Sequence, residues 1–255
     1  MSNSVWKGPF RYQLTYMGKS AGFMVSIVLL VQIIFSAIAA AAEPGEPIYS
    51  NAQESSSMIY CFVLGCCMWK ESFHLSMATG ITRRGIFLAS LTSLLTLCVV
   101  LVPVELLISF IANQFFNAPT LFFLIYGQWE NVASSFSNPG FVVQGALVQI
   151  AGSLALAYAG YFLGVIFYVV PKWLRVVLAI FIPITLFAGI PSLILVLPHP
   201  LIEELLNAFL LFFRVPGNLT LVFFAAAVLF ALLAWIPAHR AALMRNPQPS
   251  TATSG

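Results

Sequence analysis

Charge is what this chain has least of. Only 7% of its 255 residues are Asp, Glu, Lys or Arg, while 60% are hydrophobic. A soluble domain of this length cannot cover its surface with so few charges, so the composition excludes one and points into a membrane. Histidine is also scarce. His74, His199 and His239 are the complete set, and they fall in separate polar segments, which leaves no cluster for a metal or for acid–base chemistry. The four cysteines, Cys61, Cys66, Cys67 and Cys98, lie in apolar stretches without metal-ligand spacing and read as small packing residues. No directly bound cofactor is expected. The net charge of +3 does not argue for nucleic acid either; it fits anchoring to an anionic leaflet.

Long apolar runs are what the chain has in quantity. Six can be drawn, at roughly 21–42, 57–69, 86–112, 140–169, 176–197 and 219–238. A bilayer core needs about 20 helical residues, so these predict an all-α protein with six transmembrane helices. Residues 1–240 form its single transmembrane domain, and residues 241–255, ending NPQPSTATSG, read as a disordered cytoplasmic tail.

The charges that remain are sorted by side. With both termini inside, Lys7, Arg11, Lys19, Lys70, Arg83, Arg84, Lys172, Arg175, Arg240 and Arg245 are cytoplasmic, and Arg214 alone is outer. Glu43, Glu46, Glu54, Glu130, Glu203 and Glu204 collect on the outer side. The positive-inside rule therefore predicts an N-in, C-in topology.

Residues 5–19 read as an amphipathic entry helix at the interface. Trp6, Phe10, Leu14 and Met17 form its apolar stripe, with Lys7, Arg11 and Lys19 on other faces. The first span ends in AIAAAAEPGEP, which resembles a cleavage site. Its apolar core is longer than a signal peptide's, however, and an uncleaved span is the better reading. The third span holds Pro103 and Glu105. An acid within a span is a candidate for a transport path, although Glu105 lies far enough along to reach the outer headgroups. The outer segment 113–139 contains LFFLIY and reads as either a lid or a lipid-facing flap. The fourth span carries Gly160 and Gly164, a small-xxx-small pair that permits close helix approach. Residues 171–175 make a tight inner turn, and 201–214 are too short to span, so they read as an outer re-entrant segment between the fifth and sixth spans.

Several motifs fail on inspection. Gly18-Lys19-Ser20 lacks the upstream glycine of a phosphate-binding loop, since Gln13 stands there. Glu203-Glu204 resembles the glutamate pair of prenyl-endopeptidase-like membrane proteases, but Ala208 replaces the needed arginine and no histidines match. Asn218-Leu219-Thr220 matches a glycosylation sequon by chance. No enzyme reading survives.

The most informative stretch is the polar interruption 70–87, KESFHLSMATGITRRGIF. Phe73, Met77 and Ile81 recur every four residues beside His74 and Ala78, which predicts a short cytoplasmic helix. Gly80 then permits a break before Thr82-Arg83-Arg84. A plain solvated loop anchored by its arginines is the alternative.

Phe73 to Arg84 resembles the loop between the second and third spans of ABC-2 type transporter permeases. Small bacterial members carry a phenylalanine and then a Gly-x-[Ser/Thr]-Arg element, matched here by Phe73, Gly80, Thr82 and Arg83. The entry helix, six spans, inner termini and outer hairpin match the family in outline; the long outer loop before span four departs from it. The resemblance implies a bacterial inner-membrane permease whose coupling loop (Phe73, His74, Met77, Gly80, Thr82, Arg83, Arg84) docks on ATP-binding cassette ATPase subunits. It also implies a second permease, identical or related, and ATP used only through the partner subunits. The cargo expected from so few intramembrane charges is amphipathic or hydrophobic: a peptide, a lipid or a drug. An ATPase-independent secondary transporter using Glu105 and a non-transporting scaffold or sensor are the alternatives.

Overall fold

The computed structural model describes residues 7–41, 52–78, 83–112, 120–126, 138–185, 207 and 211–240. Among these the chain is helical throughout, without a strand. The helices are α1 (Lys7–Ala41), α2 (Ala52–Ala78), α3 (Arg83–Ala112), α4 (Leu121–Tyr126), α5 (Pro139–Val169), α6 (Lys172–Ile184) and α7 (Pro216–Arg240). Four contain segments long and apolar enough to cross a bilayer: Gly8–Ile34, Arg84–Ala112, Pro139–Val169 and Pro216–Pro237. This is a multi-pass membrane protein.

Local chemistry sets several ends. Asn138 caps α5 by accepting from the Gly140 N–H at 3.1 Å, and Pro139 follows at the first helical position, where its missing N–H costs nothing. Glu54 lies in the first turn of α2 and Pro216 opens α7; the former suits the positive end of the helix dipole. Pro171 stops α5 and leads directly into α6.

Two expectations change. The entry helix and the first span are one unbroken helix of 35 residues, about 52 Å long, because residues 19–21 contain no Pro or other breaker. Its packed stripe is also rotated one residue from the expected one. Pro9, Gln13, Met17 and Ala21 are buried, while Phe10 and Leu14 are only partly so. The predicted fifth span is seen only as α6, which ends at Ile184. Its remainder, most of the 201–214 segment and the tail 241–255 lie outside the described residues.

Side-chain contacts fix the helix directions. Met58 meets Gly152, and Phe62 and Cys66 face Gly160 and Gly164, so α2 and α5 run parallel. Phe223 against Gly152, and Phe230 against Phe162, place α7 parallel to α5. Ser57 joined to Glu105, with Cys61 beside Cys98, puts α3 antiparallel to α2; Gln13 joined to Ser90 and Ser93, with Ser20 further along α1 beside Tyr60, puts α1 parallel to α3. The bundle therefore has a basic end, bearing Arg84, Lys172 and Arg175, and an opposite end bearing Glu54, Glu105 and Arg214.

Among the described residues the α2–α5 contact is the tightest. A Cβ on Gly65 would collide with the Ala157 carbonyl, and one on Gly160 with the Phe62 carbonyl. At Gly164 it would lie 2.5 Å from the Cys66 carbonyl oxygen. Helices in lipid gain little from burying apolar surface, since the tails are as apolar as leucine. They associate through dispersion and Cα–H···O contacts, both of which need backbones this close. The expected close approach at Gly160 and Gly164 is present, with Gly65 as its counterpart. Cys61 and Cys98 are fully buried where α2 meets α3.

Candidate functional site

At the end bearing Glu54, α2, α3 and α5 converge on a buried polar cluster. Glu105 is 2% exposed. Its Oε2 accepts from the Ser57 hydroxyl at 2.9 Å and from the Gln149 amide at 2.6 Å. The Ser57 hydroxyl also lies 2.9 Å from the Glu54 carbonyl oxygen. Ser109, one turn along α3, and the Glu54 side chain are buried as well. The rise from Arg83 to Glu105 is about 33 Å, slightly more than a ~30 Å hydrocarbon core. The cluster therefore sits towards the far rim of α3 and away from mid-depth. Glu105 of α3 is thus bonded to one side chain of α2 and one of α5, so no two of the three helices can slide without exchanging a hydrogen bond at Glu105.

The short α4 closes this end. Phe122 is buried, with its ring 4.7 Å from that of Phe141 and 4.9 Å from that of Tyr126. It occupies the space a side chain at Gly145 would need, since a Cβ there would come within 3.2 Å of the ring. The Tyr126 hydroxyl donates to the Phe213 carbonyl at 2.8 Å, which ties α4 to the approach to α7. Beneath Phe122 and Phe141 lies a void of about 10 Å³ bordered by Glu54, Thr120 and Gln149. That is at the lower limit for one water. Of the segment 113–139, residues 120–126 and 138–139 are described; the rest lies outside the described residues.

The basic end is organised differently. The backbone of α2 stays helical through Phe73, His74 and Met77 to Ala78, and α3 begins at Arg83. The segment 70–78 is thus continuous with the second helix, with no break at Lys70. Side chains of 70–83, and Gly80 and Thr82 altogether, lie outside the described residues; Arg84 is exposed. Near the end of α2 and the start of α3 an aromatic cluster binds four helices. Trp69 meets Tyr161 at 5.7 Å and Tyr168 at 6.5 Å, both edge-on. Phe87 meets Tyr161 at 5.9 Å and Trp235 at 4.9 Å. Three of these contacts are edge-to-face and the Phe87–Tyr161 pair is tilted, geometries that add to the packing of the rings. They join the last turns of α2 and the first turns of α3 to α5 and α7.

Three features escaped the sequence reading. Gln149 and Ser57 are polar residues without charge or motif, and only the structure gives them to Glu105. Gln13 appeared as the residue that spoils a nucleotide motif, yet its amide bonds Ser90 and Ser93, each at 3.2 Å, and holds α1 against α3. The aromatic cluster is spread over residues 69–235, and no local pattern announces it. Among the described residues no group of three or more His, Cys, Asp or Glu side chains could hold a metal ion.

Comparison with protein-family models, with curated proteins and with solved structures finds no match.

Proposed function

We propose that the chain is the membrane subunit of an ATP-driven transporter, moving an amphipathic or hydrophobic cargo while separate ATPase subunits hydrolyse the nucleotide. The observation that carries this reading is the aromatic packing where α2 ends and α3 begins. At the basic end Trp69 of α2 and Phe87 of α3 pack against rings of α5 and α7. A push on residues 71–84 would be delivered to four helices at once, as a device coupled to an external motor requires. In this reading the basic end is cytoplasmic. In this reading α2 is also a span, which its packing along α5 from Met58 to Trp69 supports. The apolar run 176–197, which α6 begins, is another, and with α1, α3, α5 and α7 they make six.

Glu105, Gln149 and Ser57 then form the outer latch, and α4 the outer lid, of a state closed to the outside. Cargo moves when the latch and lid release. A self-contained carrier would place Glu105 on its ion path near mid-depth. Its position at the rim and its bonds to α2 and α5 favour a role in helix docking instead.

The test is photo-crosslinking in native membranes, with a photoreactive residue replacing His74 or, as a control, Leu29 on the exposed flank of α1. The expected result is capture of a soluble subunit with a Walker-type ATP-binding sequence from position 74 only. Capture of lipid alone from both positions would overturn the proposal.

A further inference from the structure

Between α1 and α2, in the half nearer the basic end, lies an open groove of about 190 Å³. It exists because α1 is fastened to α3. Gln13 reaches Ser90 and Ser93, which draws α1 off the surface of α2. The deep end is closed where Ser20 faces the Tyr60 hydroxyl. From there the groove opens sideways, into whatever surrounds the helices.

Its chemistry is graded along its length. Val63 and Leu64 make the α2 wall apolar, and Cys67 lies exposed on the same wall. Tyr12 and Tyr16 line the α1 edge with their rings about half exposed, and a tyrosine sits comfortably with an apolar body and a wet tip. Lys19 follows Tyr12 and Tyr16 at seven and three residues, so it stands on that same edge. It is exposed, as is Arg11. Lysine side chains on a helix lean towards its N-terminus and extend their charge to the interface, which here is the basic end. No acid lines the groove among the described residues. An aliphatic-lined cavity of roughly 150 Å³ accepts a benzene ring, so this one accepts a run of methylenes.

We propose that the α1–α2 groove is a binding site for one bilayer lipid with an anionic headgroup. Its acyl chain lies along Val63 and Leu64, and its phosphate meets Lys19. The site is separate from the Glu105 latch and does not depend on the motor-driven reading.

The test uses the purified full-length protein in mild detergent, with phosphatidylglycerol or phosphatidylcholine of identical chains added and retained lipid counted by native mass spectrometry. Modification of Cys67 by N-ethylmaleimide is followed in parallel. The wild type is expected to retain one phosphatidylglycerol, with a preference over phosphatidylcholine of roughly fivefold, the effect of one lysine at an anionic surface. Bound lipid slows Cys67 modification. Lys19→Gln removes the preference, and Val63→Trp, which fills open space at a half-exposed position, abolishes retention. Equal retention of the two lipids by the wild type overturns the proposal. So does unchanged phosphatidylglycerol retention in Val63→Trp, provided the variant elutes and shows helicity as the wild type does.

Discussion

Glu105 is held by two donors from two other helices, and that geometry sets the cost of changing it. Glu105→Ala leaves the Ser57 hydroxyl without its carboxylate and the Gln149 amide buried without an acceptor, a loss of about 1–3 kcal/mol. Glu105→Gln keeps an oxygen in place and is expected to lose less than half as much. Unfolding in mixed micelles of increasing denaturing detergent measures both. Equal losses would mean that the bonds to Ser57 and Gln149 contribute little. At Gly160 the argument is steric. Gly160→Ala drives a methyl group into the Phe62 carbonyl, so α2 and α5 must separate. The expected loss is about 1–3 kcal/mol, although alanine is the better helix former. Gly22→Ala, where a Cβ meets nothing within 4 Å, is the control and is expected to be neutral or slightly stabilising.

Among the elements, α4 makes the most specific claim. If Phe122 is the plug over the latch, Phe122→Ala opens the void beside Gln149. In a variant without native cysteines, a thiol introduced at Leu106, which borders that void, should then react several-fold faster with a membrane-impermeant reagent. An unchanged rate would show that α4 does not seal this end. The helices themselves were legible in advance where apolar runs exceed about 20 residues, because length and hydropathy are local properties. Their joins were less so. A polar lead-in and an apolar span look like two elements in sequence, yet nothing between Lys19 and Ala21 prevents one helix, and α1 runs straight through. Likewise Lys70 and Glu71 mark a change of solvent, and α2 continues past them. The glycines of α5 did foretell close approach, but its partner Gly65 and the position of Gln149 depend on which helices meet. That is a property of the packed bundle.

Taken whole, the molecule has one end tied by hydrogen bonds around a single carboxylate and the other by interlocking aromatic rings. Broad apolar faces of α1, α6 and α7 point outward, Phe23, Trp173 and Leu221 among them, as contact with lipid requires. On the proposed reading, a bundle latched at one end and levered at the other moves only if something grips the lever. The central claim is therefore that this protein works with a separate ATPase. Affinity purification from native membranes in mild detergent, with identification of what co-purifies, tests it most directly. The account predicts a stoichiometric soluble subunit with a Walker-type ATP-binding sequence, lost when Phe73 and Arg83 are both replaced by alanine. Recovery of the protein alone, under conditions that keep a control transporter complex intact, would contradict it.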